Sequence, residues 1–177
     1  MAKEAQIARG RLGIPWRLIG WGTAALLLLL PFVAGAPWTG SDYVFAAVMF
    51  GTVGLAFEFV VRKSVSLAYR AGAVLAVVTA VMTIWINGAV GMIGSEQDDY
   101  NLLFLVVPLV ALAGAAIARF RPAGTAWAML AAAIAQAALG AFGLPEDLAG
   151  GILGIGFAGP WLVAALLFRK AGSARQA

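Results

Sequence analysis

The sequence contains neither cysteine nor histidine. Without cysteine there is no disulfide, no thiolate metal site and no thiol nucleophile. Without histidine there is no imidazole ligand for a metal or haem, and the usual general base is missing. Charge is scarce as well. Asp, Glu, Lys and Arg make up 11% of the 177 residues, against about a quarter in a soluble domain. Apolar residues reach 63%, and mean hydropathy is +0.94. A disordered chain cannot be so apolar, and a soluble domain is roughly half apolar. What remains is an integral membrane protein.

A helix needs about 20 mostly apolar residues to cross the hydrocarbon core. Six stretches qualify: Leu18–Ala36, Asp42–Val61, Leu67–Gly91, Leu102–Ala118, Thr125–Gly143 and Gly150–Phe168. They are continuous apolar runs, unlike the alternating segments of a β-barrel, so the spans are predicted to be helices. The expected fold is an all-α polytopic bundle of six helices. A basic tail, residues 1–17, precedes one transmembrane domain, 18–168, and a short tail, 169–177, follows it. The first span has signal-peptide features: a basic start (Lys3, Arg9, Arg11, Arg17) and an Ala34-Gly35-Ala36 ending. Its apolar run is longer than a usual signal core, and Pro37 would follow the cut. It is therefore expected to be retained as a span.

All 12 basic residues fall on one side of this arrangement. They lie before span 1, at Arg62, Lys63 and Arg70, at Arg119 and Arg121, and at Arg169, Lys170 and Arg175. Asp42, Glu96, Asp98, Asp99, Glu146 and Asp147 fall on the other side. Positively charged short loops stay in the cytoplasm, which predicts an inner-membrane protein with both termini cytoplasmic. The net charge of +4 and pI of about 10 are then a topology signal, and no nucleic acid is expected as a partner. The charges also divide the chain into three hairpins. Spans 2, 4 and 6 each end in a basic pair, and the outer turns are acidic. Orientation rules alone would impose that pattern, as would a remnant of internal repetition.

Small residues must supply much of the helix packing in lipid. Span 3 carries Ala68, Gly72, Ala76 and Ala80 at intervals of four, and span 5 carries Ala128, Ala132, Gln136 and Gly140. These rows are expected inside the bundle. Gly150 and Gly154, followed by Gly156 and Gly159 on span 6, are the expected site for a contact with another subunit. Trp16, Trp21, Trp38, Trp127 and Trp161 are expected at headgroup level, with Trp85 well inside span 3. Pro31, Pro108 and Pro160 each free a backbone carbonyl within a span.

Few polar groups within the spans offer chemistry. Glu58 and Arg70 are embedded near the basic edge, and Glu58 stands four residues before Arg62. The three suit a structural ion-pair clamp of the hairpin, with an ion-linked carboxylate as the alternative. Thr79, Thr83 and Asn87 form one stripe on span 3, with Gln136 in span 5 and Thr52 in span 2. Such residues line a narrow polar path or make interhelical hydrogen bonds. No charged residue stands at the midplane, which counts against proton pumping and a retinal Schiff base. Glu96, Asp98 and Asp99 make the outer loop acidic, without the ligand spacing of an EF-hand. No nucleophile–base pair, phosphate-binding glycine loop or metal-ligand set is visible, so neither enzymatic activity nor a cofactor or metal is expected.

Several short stretches, taken in order, carry a resemblance. They are Pro37-Trp38-Thr39 with Asp42-Tyr43, Gly54-Leu55-Ala56-Phe57-Glu58, and Tyr69-Arg70-Ala71. Trp85-Ile86-Asn87, Gly91-Met92-Ile93-Gly94-Ser95-Glu96, Asn101-Leu102 and Ala118-Arg119-Phe120-Arg121-Pro122 continue the series. Across about Leu26 to Gln136 the chain resembles a family of small bacterial multi-helix membrane proteins. That family carries a TDEV.W...DF entry, a GL.YE end to the second span and a W.N.AVGIIGSE stretch. Two patterns differ here: Ala34-Gly35-Ala36-Pro37 replaces the acidic entry, and Asp98-Asp99-Tyr100-Asn101 replaces an NPAN segment. The resemblance implies a multi-helix membrane fold and lends no activity. It also places Glu58, Arg70, Asn87 and Glu96 on patterned positions.

Three functions compete. Tiny loops, small-residue rows and the lack of catalytic groups favour a non-enzymatic subunit of a larger membrane complex, or a self-associating scaffold. The Thr79–Thr83–Asn87 stripe with Gln136 favours a small oligomeric transporter or channel for a polar solute or ion. A lipid-acting enzyme has least support. The lipid bilayer, and other membrane subunits or further copies of the chain, are the expected partners.

Overall fold

A computed structural model describes residues 16–63, 66–95 and 97–173. Every regular element among them is helical: α1 (Trp16–Val33), α2 (Gly40–Lys63), α3 (Leu67–Ala89), α4 (Val106–Ile117), α5 (Pro122–Gly143), α6 (Leu148–Gly156) and α7 (Ala158–Ser173). A 3-10 segment, Asp99–Leu105, runs directly into α4. Five rods are long and apolar enough to cross a membrane: Gly40–Val60, Leu67–Ala89, Asp99–Ile117, Pro122–Gly143 and Leu148–Ser173. The apolar part of α1, Leu18–Val33, is shorter. The chain is an all-α, polytopic membrane protein, as its continuous apolar runs predict. Lys3, Arg9, Arg11, Glu96 and Arg175 lie outside the described residues.

The chain forms two compact units, 1–55 and 56–177, divided within α2. In the first, the start of α2 is held by the Asp42 carboxylate, which reaches back to Thr39. Thr39 donates its backbone N–H and its hydroxyl to Asp42 Oδ2, at 2.7 and 2.8 Å. The Trp38 and Tyr43 rings meet edge to face at 5.3 Å, in the positions of a hydrophobic staple. Asp42 therefore serves as a cap of α2. Ala46 and Met49 are buried, and the Trp21 ring covers Gly54.

In the second unit α5 is central. It packs on α4, α6 and α7, while the principal neighbour of α3 is α7. The row Ala68, Gly72, Ala76 and Ala80 faces this core, with Gly72 against Ala164 and Leu167 of α7. Gly114 and Ala128 bring α4 and α5 together. The closest approach is between α5 and α6. A Cβ on Gly140 would strike the Ile155 nitrogen, come within 2.7 Å of the Gly154 carbonyl carbon and within 2.9 Å of Gly151 O. Only glycine fits where two backbones touch.

Two expectations are corrected. Gly150 and Gly154 are occupied within the chain: Gly154 lies against Gly140, and Gly150 against the Met92 carbonyl and Asp147. Neither is free to meet another subunit, whereas Gly156 and Gly159 have open space around them. Trp161 is not at headgroup level. It is 1% exposed, midway along Leu148–Ser173, where alanines of α5 and α7 leave room for an indole. Pro160 explains the break in that rod. It has no N–H for the Gly156 carbonyl and its ring crowds that oxygen, so α6 stops at Gly156 and α7 begins at Ala158. Trp127, by contrast, is 72% exposed.

Gly140→Ala is expected to destabilise the protein by about 1–3 kcal/mol. Gly156→Ala, in open space, should stay within about 0.5 kcal/mol. Chemical unfolding of both variants in detergent, followed by helical circular dichroism, checks the contrast.

Candidate functional site

The polar stripe of α3 is buried: Thr79, Thr83 and Asn87 are 3%, 0% and 8% exposed. The spacing of four that aligns them also lets each reach back one turn. Thr79 Oγ1 donates to Leu75 O at 2.7 Å, Thr83 Oγ1 to Thr79 O at 2.9 Å, and Asn87 Nδ2 to Thr83 O at 2.7 Å. The donors are thus used within their own helix, and backbone carbonyls receive them. Gln136 on α5 is fully buried and donates from Nε2 to the Gly154 carbonyl of α6 at 3.2 Å. Asn87 Oδ1 and Gln136 Oε1 are buried with no hydrogen-bond partner. A buried acceptor left this way costs about 1–3 kcal/mol. Thr52, on the other unit, is exposed and bonds back to Val48 O at 2.8 Å.

The loop between α3 and the 3-10 segment is organised by Asn101, which is 4% exposed. Its Oδ1 accepts from the Met92 and Ile93 amides at 2.8 and 2.9 Å, and its Nδ2 donates to Ile93 O and Ser95 O at 2.9 and 2.7 Å. One side chain therefore stands in for the missing backbone partners of a buried loop. The chain enters through Gly91 at φ +78, where a Cβ would meet Ser95 and Asn101. Beneath the polar turn, Met92 and Ile93 pack on Phe104, with Tyr100 alongside. The Tyr100 hydroxyl donates to Leu139 O of α5 at 2.7 Å.

Asp147 closes this clasp from the α5–α6 connection. Its Oδ1 caps α6 by accepting from Gly150 N at 2.9 Å, and its Oδ2 accepts from Gly94 N at 3.1 Å. These amides, Gly150 first, hold the Asp147 carboxyl below its ordinary value of 3.8. Of the expected acidic loop, Asp98 caps the 3-10 turn by accepting from Tyr100 N at 2.9 Å, and Asp99 is exposed. Among the described residues no group of three or more His, Cys, Asp or Glu is placed to hold a metal.

At the opposite end of the second unit, Arg62 donates to Glu58 Oε2 at 3.1 Å across one helical turn. The Arg62 side chain is 72% exposed, so this pair contributes little to stability. Arg70 is half-buried in the first turn of α3. Tyr69 ties elements together at this end: its hydroxyl donates to Phe120 O at 3.0 Å and its ring meets Phe168 at 5.0 Å. The Phe120 ring in turn meets Phe59 at 5.2 Å. Arg119 and Phe120 hold left-handed backbone at φ 52 and 55, which costs non-glycine residues roughly 1–2 kcal/mol each.

Sequence reasoning found the α3 stripe and Gln136, and missed the tying roles of Asn101, Tyr69 and Asp147. The Asp147-x-x-Gly150 cap was readable as an N-cap signal. The partners of Asn101 were not, because an irregular loop has no period to read. In comparison with known proteins, no family model, no curated protein and no solved structure matches the chain.

Asn101→Ala removes four hydrogen bonds and should destabilise the protein by about 2–4 kcal/mol, read as a lower unfolding midpoint in detergent. Asp147 gives a pH test. A lowered carboxyl pKa means that the folded state takes up the proton less readily than the unfolded chain. Its contribution is present above about pH 4 and is lost as pH falls through the folded value. Asp147→Asn should be less stable than the wild type at pH 7, with the gap closing below about pH 4.

Proposed function

We propose that the protein is a non-enzymatic subunit of a larger bacterial inner-membrane complex, or a self-associating scaffold, with both termini in the cytoplasm. The observation that carries this reading is open glycine surface within each unit, Gly156 and Gly159 of the second included. Gly20, Gly22 and Gly51 have nothing within 4 Å of where a Cβ would stand. In lipid, helices associate where small residues let backbones approach, and apolar exposure alone drives nothing. Open glycines on apolar helices therefore fit a partner helix. The family resemblance belongs to the same proposal, since the Trp85–Glu96 stretch that carries it leads into the Asn101 clasp.

One observation favours the second reading, a small oligomeric transporter or channel. Asn87 Oδ1 and Gln136 Oε1 are acceptors without partners in a protein that otherwise satisfies its stripe internally. Water reaching Gln136 in proteoliposomes, read by radiolytic labelling of the side chains around it, supports transport. Full protection of that region removes it.

Extraction in mild detergent should recover the protein in a defined assembly, either with other membrane proteins or with further copies of itself. Recovery as a lone monomer by native mass spectrometry sinks the subunit and scaffold readings together. The orientation is checked separately. The chain has no native cysteine, so Asp99→Cys and Lys170→Cys each introduce a single label site. An impermeant thiol reagent applied to intact cells should modify Asp99→Cys and spare Lys170→Cys, and the reverse pattern inverts the topology.

A further inference from the structure

We propose that Gln136 of α5 and Trp161 of α7 form a mid-membrane binding site for one small neutral molecule that both donates and accepts a hydrogen bond, the class to which water belongs. The site does not rest on the subunit reading. It also goes beyond the transport reading, which needs a path to solvent where binding needs none.

Two buried groups of opposite kind lack partners. Gln136 is 0% exposed and Trp161 is 1% exposed. Gln136 Oε1, an acceptor, and Trp161 Nε1, a donor, have no hydrogen-bond partner. Turning the Gln136 amide over does not remove the lack. Its Nε2 already donates to Gly154 O, and the reverse orientation would set two carbonyl oxygens against each other. The acceptor is therefore the free arm of that amide, and an indole nitrogen only donates. Buried polar side-chain atoms in folded proteins mostly find a partner. A complementary pair without one is what a single bifunctional molecule satisfies.

Helix register brings the pair to one level. Gly140 of α5 meets Gly154 and Ile155 of α6, and Pro122 of α5 lies beside Gly172 of α7. Pro122 is eighteen residues before Gly140, and Gly172 is eighteen after Gly154. The two rods thus run antiparallel in the same register on both sides of the break. Gln136, four before Gly140, is level with Ala158, four after Gly154. Trp161 is three residues further on, about 4.5 Å along the axis. Long helical side chains lean toward the N-terminus of their own helix. In α7 that direction is toward Ala158, so the indole leans to the level of the Gln136 amide. A third helix reaches the same level. Gly72 of α3 meets Ala164, Leu167 and Phe168, and Thr79, seven residues on, shares its face. The Thr79 hydroxyl is buried, donates to Leu75 O and keeps a lone pair to accept with.

These groups define the class of ligand. The molecule must give a proton to Gln136 Oε1 and accept one from Trp161 Nε1. A bare cation has no use for the indole N–H, and an anion would face the amide oxygen. None of residues 71–95, 122–145 and 148–168 is charged, so neither ion meets a countercharge. Ala132, Ala133 and Ala158 pack in the same core as Trp161 and supply no competing polar side chain.

The test uses the full-length protein in lipid nanodiscs with isotope-labelled tryptophan. The chain has six tryptophans. The Trp161 indole signal is identified by sequential assignment and by its loss in Trp161→Phe. In the wild type that proton should show magnetisation transfer from bound water. Where an organic member of the class holds the site instead, the signal should shift on adding formamide. Gln136→Met, which keeps the length and removes the acceptor, should abolish either effect. Gln136→Glu, protonated at this depth, keeps a donor for Gly154 O and a free acceptor, and should retain it. Neither water transfer nor a formamide shift in the wild type overturns the proposal without recourse to a variant. An effect that survives Gln136→Met overturns the pairing of the two residues. A shift of the Trp161 signal on adding sodium or chloride overturns the neutral class.

Discussion

The contact between Gly140 of α5 and the Gly151–Ile155 backbone of α6 is the constraint on which the second unit depends. Two helices at this separation have no room for a side chain, and dispersion between backbones replaces the hydrophobic drive that lipid does not provide. The contact fixes where α6 lies, and that determines what Gln136, one turn before Gly140, can reach. Its amide meets the Gly154 carbonyl close to the point where Pro160 ends α6. The break then offsets α7 from α6, and α7 carries Trp161, Ala164 and Phe168 into the core shared with α3 and α5.

The two ends of that unit are closed by different chemistry. At the acidic end a buried amide, Asn101, supplies the hydrogen bonds that an irregular loop cannot make for itself, and Asp147 ties the loop to the start of α6. At the basic end the tie is aromatic: Tyr69 joins Phe168 and the Phe120 carbonyl, and Phe59 joins Phe120. The division follows from the local charge. Where carboxylates collect, backbone amides are the available donors. At the basic end Arg119 and Arg121 stand exposed on either side of Phe120, whose ring and carbonyl are held.

Much of this was legible in the residues. The spans followed from apolar run length, and the inward row on α3 from its spacing of four. The ion pair of Glu58 and Arg62 followed from helical register. The stripe Thr79, Thr83 and Asn87 was visible as a stripe, but not its bonding: the same spacing that suits a path also lets each side chain bond its own helix one turn back. Gly150 and Gly154 illustrate the limit. A small-residue row marks a surface where a backbone can approach, and it does not say whose backbone that is.

The sequence by itself determined the solvent, because 11% charge and 63% apolar content leave no alternative to lipid. It also determined the helical form, because a backbone in lipid must satisfy its own polar groups. Only the tertiary structure decided which helices touch, that Trp161 turns inward, and that Asn101 and Tyr69 lock the two ends. Those outcomes depend on contacts between residues far apart in the chain, where composition and periodicity carry no information about partners.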